Sequence, residues 1–132
     1  MIDNAVFSRL SNDGAINALI GSRIYPQMAK EDATYPLILY HQISSGQADA
    51  RCMAGVADHF RTLVQIDIYG PSKSGINTIA KAVRASLDDK IKQTWGGLKI
   101  AASMFDDQFD SGYEPGSNLY RIIQQYRIVL EE

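Results

Sequence analysis

The chain has 132 residues, 45% of them apolar and 21% charged, and a formal net charge of −2. That composition describes one globular domain, residues 1–132, large enough to bury its own core, and it excludes a disordered chain. It also excludes a strongly basic nucleic-acid-gripping protein. No apolar run approaches the roughly 20 residues that span a bilayer as a helix. Cys52 is the only cysteine, so an internal disulfide is impossible and a reducing compartment is expected. The first ten residues lack a basic start followed by an apolar core, so no signal peptide is expected and the protein is read as made in the cytoplasm.

Residues 3–20 predict a helix in two pieces. Val6, Leu10, Ala15, Ile16, Leu19 and Ile20 supply a rough apolar stripe, and Asn12-Asp13-Gly14 interrupts it, because Asp caps a new helix and Gly is a poor interior residue. Gly21 is the expected stop. Arg23-Ile24-Tyr25-Pro26 follows as a short extended segment. Tyr35 to Ser44, YPLILYHQIS, reads as a strand rich in aromatic and branched residues. Residues 45–57 are small and weakly patterned and read as a long hairpin loop. Loops of that length are uncommon in compact domains and often functional.

Residues 58–69 alternate as a half-buried strand does. Phe60, Thr62, Val64, Ile66 and Ile68 share one face. A helix is expected from Ser74 to Asp88, with Ile76, Ile79, Ala80, Val83 and Leu87 on one stripe. Gly96-Gly97 opens a third strand, Leu98 to about Phe105. Asp110 to Ser117 reads as loop, and Leu119 to Leu130 as a long last strand. The predicted fold class is α+β. One antiparallel four-stranded sheet carries its helices on one face, in the order helix-strand-strand-helix-strand-strand. Leu39, Leu63, Tyr69, Tyr120 and Tyr126 suggest that neither sheet face is fully polar. Leu63, Tyr69, Tyr120 and Tyr126 are the expected subunit or partner contacts on the sheet.

Three stretches look chemical. Gly70-Pro71-Ser72-Lys73-Ser74-Gly75 lies between strand and helix, where a phosphate loop would sit. Its spacing is wrong, since a phosphate loop needs four residues between its first Gly and Gly-Lys-Ser/Thr. A serine cap on the next helix, Ser72 or Ser74, is the simpler reading. Asp106-Asp107-Gln108-Phe109-Asp110 has the D-D-x-x-D spacing, but alternation on a strand separates Asp107 from Asp106 and Asp110. A solvated acidic turn is expected there. His41 and His59 lie on neighbouring predicted strands with Cys52 in the loop between them. Two imidazoles do not make a zinc site without further ligands, but Cys52 with His41 and His59 is the sharpest metal or nucleophile candidate, beside the plainer reading of the cysteine as a small apolar filler. No catalytic, cofactor-binding or metal residue is assigned.

Taken in order, several segments resemble the tail-completion proteins of long-tailed phages and prophages, the tail-terminator and head–tail joining proteins. They are the first helix ending in Arg23-Ile24-Tyr25-Pro26, YPLILYHQIS at 35–44, VQIDIYG at 64–70, IAKAVRASL at 79–87 and YRIIQQYRIV at 120–129. The resemblance implies a structural, non-enzymatic virion protein without cofactors. It implies a homo-oligomeric ring, commonly a hexamer, at the head–tail interface, on the end of the tail tube. The ring would stop tube growth and meet a head-completion or connector protein, with DNA only as passing cargo and no membrane contact. The near-neutral charge suits a conduit, because every phosphate contact would resist sliding. Loop 45–57 is expected to reach a neighbour, the lumen or the docking partner, with Arg51 and Met53 as its contact residues. The competing class is a small oligomeric α+β ligand-binding or regulatory module, which would need a pocket with convergent polar groups.

Overall fold

A computed structural model describes residues 2–26, 34–47, 59–114 and 118–131. The break in the first helix falls where the sequence places it. α1 (Ile2–Ser11) gives way to α2 (Gly14–Ile20), and the Asp13 carboxylate accepts from the amides of Ala15 and Ile16 at 2.9 and 3.2 Å. Gly21 ends α2 at φ 61, a left-handed conformation that costs glycine little. β1 (Ile24–Pro26) then runs parallel to β2 (Leu37–Gln47). β2 is antiparallel to β3 (His59–Gly70), which pairs in turn with the last strand, β6 (Leu119–Glu131). Between them come α3 (Lys73–Leu87), β4 (Lys90–Trp95) and β5 (Leu98–Glu114).

The expected four-stranded antiparallel sheet is therefore corrected. Among the described residues the sheet has six strands, in the order β1-β2-β3-β6-β5-β4, and is mixed, because β1 is parallel to β2. β4 escapes a sequence reading because Lys90-Ile91-Lys92-Gln93-Thr94-Trp95 has no clean apolar alternation. Gly96 and Gly97, at φ 58 and 84, form the hairpin turn between β4 and β5. β5 also runs past its expected end at Phe105, to Glu114. Its pairing with β6 shifts register between Ile100 and Ala102, Phe105 and Asp107, and Asp110 and Gly112. Each such shift bends a strand and raises its twist, and the sheet curls into a half-barrel. The same shifts scramble the parity of the side chains, which is why the acidic stretch reads as a turn.

All three helices pack on one face of the sheet. Ile76, Ile79, Val83 and Leu87 of α3 meet Ile66 and Ile68 of β3 and Ile122 and Ile128 of β6. Ile16, Ile20, Val6 and Leu10 complete that core from α1 and α2. Gly70 sits where β3 passes beneath α3. A Cβ there would lie 2.6 Å from Ile76 Cγ2 and 3.3 Å from Pro36 Cβ, so only glycine allows this approach.

Both outer strands are blunted. β1 has three residues and ends on Pro26, which has no N–H to donate. β4 has six, carries Lys90 and Lys92, and is kinked at Lys92, where φ is 51. Short strands, lysines and kinks all discourage edge pairing with another chain. β4 reaches along β5 only to Ser103. Beyond it, carboxylates hold three β5 amides: Asp88 takes that of Phe105, Asp107 that of Gln108 and Asp110 that of Gly112, at 2.8, 2.8 and 2.9 Å.

Candidate assembly face

The helices leave the second face of the sheet to β-strand side chains alone. Along β3 this face carries Arg61, Leu63, Gln65, Asp67 and Tyr69, and along β6 Arg121, Ile123, Gln125, Arg127 and Val129. Its character changes across the sheet. On the β2–β3 side it is closed, with Leu37, Leu39 and Asp67 buried. Asp67 is 5% exposed and is held by two donors: Arg121 Nη2 at 3.0 Å and Gln65 Nε2 at 2.8 Å. The Arg121 guanidinium also lies 5.4 Å from the centre of the Tyr69 ring. A carboxylate so far from water is tolerated only with partners of this kind.

On the β5–β4 side the same face opens. Ile91 is 64% exposed, Phe109 47% and Met104 43%. Ile91 stands opposite Ala102, Met104 opposite Arg127, and Phe109 opposite Ile123, so the three lie along one side of the hairpin and its extension. Single exposed apolar residues are unremarkable. Three on one surface, joined by half-buried Ile123, Val129 and Leu63, make a patch of the kind that marks contact with another protein.

The six expected contact residues divide. Leu63 and Tyr69 lie on the second face, both half-buried. Arg51 and Met53 lie outside the described residues, as does most of the 45–57 loop; Ser45 to Gln47 belong instead to β2. Tyr126 is corrected to the helix-covered side. It is 0% exposed, its ring meets Phe105 edge-on at 5.7 Å, and its hydroxyl donates to Gln124 Oε1 at 2.8 Å. Gln124 Nε2 in turn donates to Gln108 Oε1 and to the Ala80 carbonyl. Burial pushes the Tyr126 phenol well above its ordinary value; Asp88 adds to the rise and Arg84 opposes it. Tyr120 also packs against the core, its ring 5.0 Å from that of Tyr113. The missed signal was Arg121 and Arg127: two arginines at even spacing mark the odd-numbered side chains of β6 as the wet set. Ile91, Met104 and Phe109 went unnoticed because two of the three lie beside unread register shifts or in the unread strand.

The stretches that looked chemical resolve plainly. Ser72 caps α3, accepting from the Gly75 amide at 3.3 Å, and Lys73 is tied to Asp110. Asp106 pairs with Arg127 at 3.3 Å, and Asp107 and Asp110 fall on opposite faces. Among the described residues no group of three metal-type ligands comes together. His41 stands opposite Gln65, whereas His59 stands opposite Glu131. Six residues of β3 separate the two positions, roughly 20 Å. Cys52 lies outside the described residues.

The sequence matches the family of tail completion protein gp17 over residues 4–131. The chain belongs to that family. As a tail completion protein it is a structural component of the virion tail. Among solved structures it resembles a chain from the virion of a native gene transfer agent particle. That match has a TM-score of 0.75 and 18% identity, and covers 96% of this chain and 92% of that one. A second solved chain matches at a TM-score of 0.60 and 17% identity, over the same shares. At these identities the likeness is one of fold. No curated protein matches. The four-stranded expectation was thus too small for the fold, while the family resemblance was right.

Proposed function

We propose that this tail completion protein forms a ring, six copies around, on the end of a tail tube. The ring stops tube growth, meets the head-completion or connector protein, and leaves a lumen through which DNA passes. One observation carries this reading: the sheet face left bare by the helices exposes Ile91, Met104 and Phe109, while both sheet edges are blunted. Contact between copies then runs through side chains of a face and leaves the strand edges unused. A ring requires two different patches on each copy, and closure follows when the rotation divides a circle. The low net charge suits a wall that DNA passes without being held.

The test uses the native virus or gene-transfer particle, or its tail genes expressed together. Without this gene, tails should be irregular in length and should not join heads, and restoring the gene should place a six-fold ring of density at the tube end. Tails of normal length that join heads in its absence would refute the reading. So would density at the tube end made of single, isolated copies.

A further inference from the structure

We propose that the two ends of β5 are the two halves of one contact between copies: the acidic end of one chain, centred on Phe109, seats in a basic hollow of the next. This rests on the reading that copies of the chain meet in a closed ring.

The charges along this hairpin are sorted to a degree that the chain as a whole is not. From residue 90 to 105 the sequence carries Lys90, Lys92 and Lys99 and no acid. From 106 to 114 it carries Asp106, Asp107, Asp110 and Glu114 and no base. None of the three lysines has an acidic partner among the described residues, and Asp107 has no basic one. Of the other surface cations, Arg84 pairs with Asp88, Arg121 with Asp67, Arg127 with Asp106 and Lys73 with Asp110, while Lys81 of α3 also stands without an acidic partner among the described residues. Unpaired Lys99, with Lys92 of β4 beside the same hollow, therefore marks one end of β5, and unpaired Asp107 stands toward the other. Lys99 and Asp107 are eight residues apart, roughly 26 Å along a strand. Within one chain they cannot meet.

Shape agrees with charge. An open hollow of about 360 Å³ is lined by Lys92, Gln93, Thr94, Lys99 and Ile100, with exposed Ile91 next in sequence. At the other end Phe109 stands out from the sheet, 47% exposed, with Asp107 two residues before it on the same face. An apolar ring with a carboxylate beside it faces, in the next copy, a hollow rimmed by two ammonium groups, with exposed Ile91 beside it. Complementary charges around an apolar centre fix register and suppress wrong partners. The patches are different surfaces of the chain, as a ring contact requires.

The test uses Lys99→Glu and Asp107→Lys. Both residues are exposed and neither belongs to an ion pair among the described residues; Asp107→Lys gives up only the exposed bond from the Gln108 amide, so both variants should fold and melt close to the wild type. Ring formation is followed by sedimentation of the free protein and by electron microscopy on purified tail tubes. Each variant alone should need at least about tenfold more protein to assemble, because like charges then face each other. An equal mixture of the two should recover assembly, since each junction regains opposite charges. Added salt should weaken wild-type assembly. The proposal is overturned if both variants assemble normally, in which case rings form through another surface and the ring reading stands. It is overturned if the mixture does not recover. A defect in Lys99→Glu with a normal Asp107→Lys would assign the hollow to a different anionic partner, such as DNA phosphates. Wild-type protein that never assembles, even on tubes, would remove both the proposal and the ring reading.

Discussion

The two faces of one sheet are built for different jobs. Under α3, every β6 side chain from Ile122 to Ile128 on the covered side is sealed, and even its polar groups, Gln124 and the Tyr126 hydroxyl, are satisfied internally. Across the same strands, the other face ends on the β5–β4 side in Met104, Phe109 and Ile91, which are open to solvent. The covered face spends its apolar side chains on holding one chain together. The open one keeps them for something outside the chain. Substitutions on the two faces should therefore fail in different assays.

The largest effect on stability belongs to the covered face. Tyr126→Ala removes a fully buried ring and leaves Gln124 Oε1 without its donor. Urea unfolding should show a loss of about 3–5 kcal/mol, and a loss below about 1 kcal/mol would mean that the site collapses around the gap. Gly70→Ala comes next. Its new Cβ would meet the buried Ile76 side chain and Pro36, so a cost of roughly 1–3 kcal/mol is expected in the same assay.

The raised Tyr126 phenol gives a pH signature. Its folded-state value lies above its ordinary value of 10.0, so the stabilisation is complete below about pH 10 and declines as pH rises beyond it. Above that point the wild type should lose up to about 1.4 kcal/mol per pH unit through this group, and Tyr126→Phe should flatten the slope by that amount. Equal slopes in the two proteins would place the phenol in water.

The smallest stability effect is the most telling. Met104→Ser and Phe109→Ser should change unfolding free energy by no more than about 0.5 kcal/mol, because exposed side chains contribute little to a single chain. Both should nevertheless reduce assembly on tail tubes. A large loss of stability with normal assembly would reverse the roles assigned to the faces.

The difference between the faces was only partly legible in the sequence. Where a strand or helix kept one period, the covered face could be read: the α3 stripe, the alternation of Val64, Ile66 and Ile68, and the Asp13 cap all appear in the structure. The open face could not be. β4 lacks alternation, and in β5 three register shifts move side chains from one face to the other, so counting by twos fails after Ile100. In β6 both sets of alternate residues mix apolar and polar types, and only Arg121 and Arg127 distinguish them. From the sequence alone, Tyr126 suggests an apolar contact on the second face. At Tyr126 the hydroxyl finds Gln124 inside the core instead, which is how a buried tyrosine is ordinarily satisfied.

Hydroxyl-radical footprinting of the free chain and of the chain assembled on tail tubes tests the division of the faces most directly. Met104 and Phe109 should be modified readily in the free protein and protected on assembly, while Phe7 of α1, also exposed, should react alike in both. Protection of Phe7 with Met104 and Phe109 still reactive would place the contact on the helical layer and contradict the account.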